Sequence, residues 1–508
     1  MEITELEKIM NNLEQGGFLA WTKNVYEKDG AEVYLVGGAV RDGLLGFKHI
    51  KDYDFVVRGW SMEELGEKLK ELGKVDLVGK SFGVYKFVPA GKKMPLAYDI
   101  ALPRKEISLA TGRYRDFKVD YDERLKIKDD LARRDFTINA MAYELKSKKL
   151  VDEFGGLKDL ADKKIRTVGN PYERFEEDYS RMLRGIRFAC QLNWNFEDGT
   201  RHALNDLAGH INDQVNGERI VPYEVIASEL LRTFVSNPVR AFDLYDALGI
   251  FKELAPELLK MKACPQPKNW HSEGDVWQHT RLCLKALQSE ALEKRFKSSI
   301  IFDDSKSEHS ISAELVMAAL WHDVGKPYTI KTPAMDGTDR LRFNNHDAES
   351  AKLAQENFEK LRLSAAPEFD FDPERAVWLI AKHHLFDTKK LEEMKNSTVE
   401  KYFFGERYVG EDLLKLGFAD MSASIRADTG EPDLENFDIM VARINELKQL
   451  GKDRKLPEPL LNGNEVMEIL KMKPGAKVGE ILGNLREKQL SAEVKNKYEA
   501  IRYIQEIV

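Results

Sequence analysis

Cysteine is scarce in this chain. Cys190, Cys264 and Cys283 are all it has, and none of them forms a Cys-x-x-Cys pair. That argues against a disulfide framework and a cysteine-ligated zinc site, and points to a reducing, cytoplasmic setting. Long hydrophobic runs are also missing: no stretch nears the ~18 apolar residues of a membrane span. The start, MEITELEKIMNNLEQ, is acidic and helix-like, without the basic and apolar segments of a secretory signal. A basic excess is missing too, since the formal net charge is −8. This weakens non-specific attraction to polyanions, but 78 Lys and Arg residues suffice for a local basic face. Internal repeats and low-complexity tracts are not found.

What is present is ordinary globular material, 508 residues with 43% hydrophobic and 32% charged side chains, enough for several domains. Residues 1–30 read as a helical lead-in. EVYLVGGAVRDGLLG followed by DYDFVV, within 33–57, reads as strand, glycine turn, helix start and strand, and 84–101 as a further hairpin. Residues 104–127 are polar with few apolar anchors and suggest a mobile loop; from Asp129 strand signals thin out. Helical spacing then dominates 176–260 and 270–425, broken by polar loops near 303–312 and 330–344. DRKLPEPLLNG (453–463) reads as a linker, and the tail as helix, turn and helix with Pro474 and Gly475 at the turn. The expected fold is therefore an α/β head with a mixed sheet, followed by a long all-α neck, body and tail. Boundaries are expected at 1–165 for the head, 166–260 for the neck, 261–430 for the body and 431–508 for the tail.

Asp52 and Asp54 are two apart in KDYDFVV, so on a strand they project to one face. Paired carboxylates at a sheet edge are hard oxygen ligands suited to Mg²⁺ and to in-line phosphoryl transfer. Gly37-Gly38, directly after the apolar strand YLV, lets backbone N–H groups approach a phosphate chain, and Arg41 follows in the next turn. Further on, Arg181, Arg184 and Arg187 recur every third residue and share one helical stripe. That stripe would hold several phosphate charges, or would pair with Glu176, Glu177 and Asp178 one turn earlier.

Together these residues resemble a known family. Val36-Gly37-Gly38-Ala39-Val40-Arg41-Asp42 with Asp52-Tyr53-Asp54 is similar to the head of class II tRNA nucleotidyltransferases (CCA-adding enzymes) and bacterial poly(A) polymerases. Arg133-Arg134-Asp135-Phe136-Thr137-Ile138-Asn139-Ala140 looks like that family's RRDxTINA motif, and Asp178 to Ala189 like its arginine-rich neck helix. The resemblance implies that Asp52, Asp54 and, as a third carboxylate, Asp99 serve catalysis. It implies nucleotide contacts from Gly37, Gly38, Arg41, Arg134, Arg184 and Arg187, with Asp178 and Arg181 beside them. Asp135 and Asn139 would shape the ribose and base pocket. It further implies Mg²⁺ in the head, CTP and ATP as substrates and tRNA as partner, with no membrane and no obligate protein partner. The family reads bases with an acidic–basic EDxxR-like motif. Here Glu224-Val225-Ile226-Ala227-Ser228 fits the register, and the basic residue is missing from it. Full CCA addition is the first reading; CC-adding, A-adding and poly(A)-polymerase relatives are the alternatives. The segment 104–120 matches the position of a flexible loop in complete CCA-adding members.

Most of the ten histidines fall between 271 and 384, His309 included. His279, His322-Asp323, His346, His383-His384 and Asp420 form an H…HD…H…H…D order of metal-ligand types. Adjacent His322 and Asp323 can reach one ion only where a helix end points at it. The order resembles HD-domain phosphohydrolases, implying a divalent metal (Mg²⁺, Mn²⁺, Ni²⁺ or Fe²⁺) held by His279, His322, Asp323, His346, His383 and Asp420. A chain whose head only binds nucleotide while this centre does the chemistry is the reading from another class. The tail implies a tRNA contact through Lys471, Lys473 and Lys477.

Overall fold

The computed structural model describes residues 4–47, 50, 52–78, 83–91, 97–108, 111–113, 116–297, 311–337, 339–386, 394–404, 410–449 and 456–507. His309, most of the polar loop near 303–312 and the first residues of the 453–463 linker lie outside them. The chain forms two compact units, Met1–Thr233 with Leu244–Glu253, and Phe234–Asp243 with Leu254–Val508.

The first unit is built on a seven-stranded mixed sheet. Its strands are β1 (Glu32–Val36), β2 (Tyr53–Arg58), β3 (Gly73–Val78), β4 (Val84–Pro89) and β5 (Tyr98–Ala101). After a separate pair, β6 (Arg104–Ser108) and β7 (Phe117–Tyr121), come β8 (Ala142–Glu144) and β9 (Lys149–Val151). The order across the sheet is β3-β4-β5-β2-β1-β8-β9. β2 runs parallel to β5, with Asp54 opposite Asp99, and antiparallel to β1.

Both faces of this sheet are covered, which explains why YLV and DFVV read as continuous apolar runs rather than as alternation. On one face Trp21 meets Phe55 edge-on with ring centroids 5.4 Å apart, and Tyr98 meets Phe55 at the same distance. On the other, Tyr34, Val36 and Val56 pack with Ile127, Leu131 and Ala140. Emptying the Phe55 position to alanine costs roughly 3–5 kcal/mol by the cavity rule for buried aromatics. Asp54, two residues before Val56, emerges where this second face reaches the strand ends.

Two expectations fail here. Within the 104–127 segment expected to be a loop, Arg104–Ser108 and Phe117–Tyr121 are strands: β6 and β7 pair antiparallel over five positions, from Arg104 opposite Tyr121 to Ser108 opposite Phe117. The alternation in FKVDY was the overlooked signal. Strands also persist past Asp129, because β8 and β9 extend the sheet beside β1. At three residues each, they are too short to show a period. Beyond the sheet, the helix Pro171–Glu177 leads into Ser180–Gln191, which is buried along most of its length and carries the arginine stripe. The helix Tyr223–Ser236 follows.

The second unit is helical. Val276–Ala286, Ala313–Trp321, His346–Leu361, Pro373–Lys382 and Gly410–Ala423 pack around its core. Ala313–Trp321 (AELVMAALW) is wholly buried and, apart from Glu314, which accepts from the Asp372 N–H, apolar all round, as suits a central helix. Ser312 caps it by accepting from the Leu315 N–H, and Asp275 caps Val276–Ala286 by accepting from Gln278. The tail helices Gly463–Leu470, Ala476–Leu490 and Lys497–Glu506 share a cluster of Val466, Ile481, Leu485 and Ile504. Among the described residues no helix is long and apolar enough to cross a membrane.

Candidate active site and metal centre

In the first unit a cavity of about 530 Å³ opens at the ends of β1 and β2. It is lined by Gly37, Gly38, Arg41, Asp54, Arg104, Arg133, Arg134, Asp135, Asn139, Asp178, Arg181, Arg184 and Phe188. The parallel register of β2 and β5 brings Asp54 beside Asp99. Burial pushes the Asp54 carboxyl up; Arg134 eases the shift, and the charges of Asp99 and Asp52 add to it. Asp99 is raised by burial as well, eased by Lys86 and reinforced by Asp52. Carboxylates whose neighbours push Asp54 and Asp99 up in this way are a donor set a divalent cation relieves. Asp52 precedes the strand and is exposed; it and Asp99 are not among the residues lining the cavity.

Gly37 ends β1 at φ +74°. A Cβ there would stand 2.8 Å from an Arg134 guanidinium nitrogen and 3.7 Å from Asp54 Oδ2. Only glycine fits both this backbone and this approach. Asp130, fully buried, accepts from Arg133 at 2.8 Å and Arg134 at 3.2 Å, which sets both arginines at the cavity wall. Arg41 donates to Asn139 Oδ1 at 2.8 Å, and Asn139 donates to Asp135 Oδ1 at 3.2 Å. Arg184 grips Asp135 Oδ2 from two nitrogens, at 2.9 and 2.7 Å, a fork that holds the Asp135 carboxyl well below its usual range against the cost of burial.

The arginine stripe thus divides its tasks. Arg181 donates to Glu177 at 2.6 Å, one of the pairings foreseen from sequence, and still lines the cavity with Arg184. Arg187 lies outside the lining and donates to the buried Glu229 carboxylate at 2.6 Å. Asp178 accepts from the Ser180 N–H and hydroxyl, at 2.9 and 2.6 Å, and so starts the helix. Glu224 is exposed in the first turn of its helix and is not among the lining residues. The acid that meets the stripe is Glu229, and Arg232 acts on Arg187 electrostatically. Ser228-Glu229-Leu230-Leu231-Arg232 carries acid and base three apart, the spacing that the Glu224 register lacked. That spacing was the available signal, missed by starting at the first acid of the helix. Arg104 and Arg133 were missed as well; both stand in the cavity wall.

In the second unit the five helices deliver their ligand-type side chains to one point. His322 follows the last turn of Ala313–Trp321, so that the helix end brings His322 and Asp323 inward together. Asn345 at φ +60° turns the chain so that His346 opens its helix. At Gly325 an added Cβ would collide with the His346 carbonyl oxygen at 2.4 Å, so the two segments cross only without a side chain there. His322, His346 and His383 each place Nδ1 on the carbonyl three residues earlier, at 2.9, 2.8 and 2.6 Å. A carbonyl only accepts, so Nδ1 carries the proton and Nε2 the lone pair.

Those lone pairs face each other: His322 Nε2 lies 3.4 Å from His279 Nε2, and His346 Nε2 lies 3.2 Å from His383 Nε2. Asp323 Oδ2 is 3.3 Å from His322 Nε2, and Oδ1 is 3.4 Å from His346 Nε2. Asp420 Oδ1 is 2.9 Å from His279 Nε2. Lys326 Nζ stands 2.7 Å from Asp323 Oδ2. Buried lone pairs converging on carboxylates fit a divalent cation. All six side chains expected from sequence meet here. Beside them opens a cavity of about 1120 Å³, lined in part by His271, Lys326, Arg340, Arg342, His346 and His384.

Residues 33–166 match the model of the poly(A) polymerase head domain, and 276–442 that of the HD domain. The multifunctional CCA protein of Methylobacillus flagellatus is 32% identical over 373 residues, 73% of this chain and 77% of that protein. This chain belongs to the tRNA nucleotidyltransferase and poly(A) polymerase family, in its HD-domain-containing form. Another relative, the A-adding tRNA nucleotidyltransferase of Deinococcus radiodurans, is 29% identical over 93% of this chain and 94% of its own length. The fold matches a Bacillus stearothermophilus CCA-adding enzyme in complex with CTP, with TM-score 0.60, 21% identity and 97% of each chain covered. A Thermotoga maritima CCA-adding enzyme complexed with tRNA aligns with TM-score 0.56 and 20% identity over 96% of this chain and 94% of its own. Family membership accounts for the order of the motifs along the chain; their geometry follows from the parallel β2–β5 register and the five convergent helices.

Proposed function

We propose that this family member adds C, C and A to the 3′ end of tRNA from CTP and ATP, releasing pyrophosphate. The observation that carries this reading is Asp54, with Asp99 beside it on the neighbouring strand, at an arginine-walled cavity at the end of one sheet. Mg²⁺ held by Asp52 and Asp54 would supply positive charge at the transferring phosphate. Asp99 takes the proton of the primer hydroxyl. Arg41, Arg134 and Arg184 bind the triphosphate, with Gly37 and Gly38 letting the chain close on it. Asp135 and Asn139 shape the ribose pocket. Glu229 and Arg232, in place of Glu224, serve base choice: a carboxylate accepts from the cytosine or adenine amine, and an arginine donates to ring acceptors. The tail, through Lys471, Lys473 and Lys477, holds tRNA.

A second reading, addition of A alone, is favoured by the A-adding relative that aligns along nearly the whole chain. Extension of tRNA transcripts ending at the discriminator base, at C and at CC, with CTP, ATP or both, separates the two. Stepwise growth that stops at CCA supports full addition. Extension of the CC transcript alone establishes A-addition, and no extension overturns both.

The second unit's centre is read as a phosphoesterase site. A divalent metal bound by its six ligands would supply an activated water. Lys326, Arg340 and Arg342 stand in the wall of the adjoining cavity, together with Asp339 and Asp347, and would pair with a phosphate ester. Release of phosphate from p-nitrophenyl phosphate or opening of a nucleoside cyclic phosphate, lost in His322→Ala, tests it.

A further inference from the structure

Glu273 stands outside the six side chains gathered at the metal centre, three residues before the segment that matches the HD domain. Its side chain is only 2% exposed. Oε1 lies 2.7 Å from His271 Nδ1 and 3.1 Å from His279 Nδ1, while Oε2 accepts from the Ile425 N–H at 2.9 Å. The same loop is fastened again where Ser272 N–H donates to the Ile425 carbonyl at 2.8 Å and Ala427 N–H to that of Asn269 at 3.0 Å. Two imidazole nitrogens and a backbone N–H thus surround the buried Glu273 carboxyl. A glutamate carboxylate offers acceptors only, so both imidazoles donate to it from Nδ1. His279 therefore turns its Nε2 lone pair toward Asp420 and Asp323.

This support differs in kind from that of the other rings. His322, His346 and His383 lean on neutral carbonyls. His279 alone leans on a full negative charge, which raises the donor strength of its Nε2 and fixes the ring plane. His271 shares the same oxygen. Its ring meets that of His279 edge-on at 5.2 Å between centroids and forms part of the wall of the 1120 Å³ cavity.

We infer that Glu273 is the positioning residue of this centre, setting His279 as a metal ligand and holding the His271 ring against the substrate cavity through one shared oxygen. The inference rests on the metal reading given above. A mere clasp between two loops would need only the Oε2 contact to Ile425, and would leave metal affinity indifferent to the charge on Glu273.

The test uses the full-length protein, stripped with a chelator and titrated with Co²⁺. Binding is followed by the visible absorption of the imidazole-ligated ion, and the Nδ1–H signals are followed by NMR of ¹⁵N-histidine protein. Glu273→Gln keeps the size and one acceptor but removes the charge; it should weaken Co²⁺ binding by roughly 10–100-fold, the usual cost of losing such a partner, and move the His279 Nδ1–H signal. Glu273→Asp, with the charge retained on a shorter arm, should fall between Gln and wild type. A Glu273→Gln protein that binds Co²⁺ as tightly as wild type overturns the inference. Should that variant fail to fold, wild-type affinity in Glu273→Asp overturns it equally. Wild-type protein that shows no imidazole-ligated Co²⁺, with His279→Ala indistinguishable from it, overturns the metal reading itself.

Discussion

The two centres of this chain handle charge in opposite ways. In the head, nearly every polar group that walls the cavity is already matched: Arg184 with Asp135, Arg181 with Glu177, Arg41 with Asn139. The cavity is broad and its cations are guanidiniums, whose planar forks can exchange one oxygen partner for another. In the helical unit the donors are imidazoles, each with its outer nitrogen tied and its inner lone pair aimed at a buried carboxylate. The first arrangement suits a large anion that arrives and leaves each cycle. The second suits a small cation that stays. One chain thus provides exchangeable pairing for turnover and convergent lone pairs for retention.

The largest break in that comparison should come from Asp54→Ala. Nucleotide incorporation into tRNA should fall by on the order of 10³-fold or more, by analogy with loss of one electrostatic group at a reacting centre. Co²⁺ binding in the helical unit should be unchanged. Activity near wild type would remove Asp54 from the catalytic set. The reciprocal variant, Asp323→Asn, should cut Co²⁺ affinity by more than the roughly 10–100-fold of a supporting residue, because it alters a carboxylate that faces two imidazole pairs. If this folded variant also lost nucleotide incorporation, the two centres would prove to be coupled rather than separate.

Glu229→Ala sharpens the comparison through stability. Glu229 and Arg187 are both buried and 2.6 Å apart, so deleting one leaves the other charge unmet. A destabilisation of about 3–5 kcal/mol in urea unfolding is expected, with Glu229→Gln milder. A change within the error of the measurement would mean that water reaches Arg187 freely. The smallest effect belongs to Gly37→Ala. The strained backbone and the approach to Arg134 should cost about 1–3 kcal/mol, read as a rise in KM for CTP and ATP rather than as loss of fold.

The motifs themselves needed no structure. The order of Gly37-Gly38, Asp52 and Asp54, the run from Arg133 to Ala140, and the arginines at every third position were legible because each is local: a turn, a strand period, a helix period. The six ligands of the helical unit were also legible, since His and Asp are rarely buried without a reason, and their grouping stood out from a chain with few histidines. Glu224 and Glu229 lie on the same helix; Arg232 three residues on marks Glu229 in the sequence, and burial separates the two in the structure.

Residue types and local spacing, then, determined which chemistry this chain carries: carboxylates and arginines for phosphate, histidines for a metal. The tertiary structure alone decided the partners. Asp99 reaches Asp54 only through the parallel β2–β5 register, forty-five residues apart in sequence. Glu229 rather than Glu224 meets Arg187 because the helix buries that side. Glu273 meets His279 because the loop before the helix folds back onto the segment after Asp420. The first two are long-range contacts, and the third, between residues six apart, depends on the long-range hold of Ile425 on Glu273; packing and the need to satisfy buried charge fix all three.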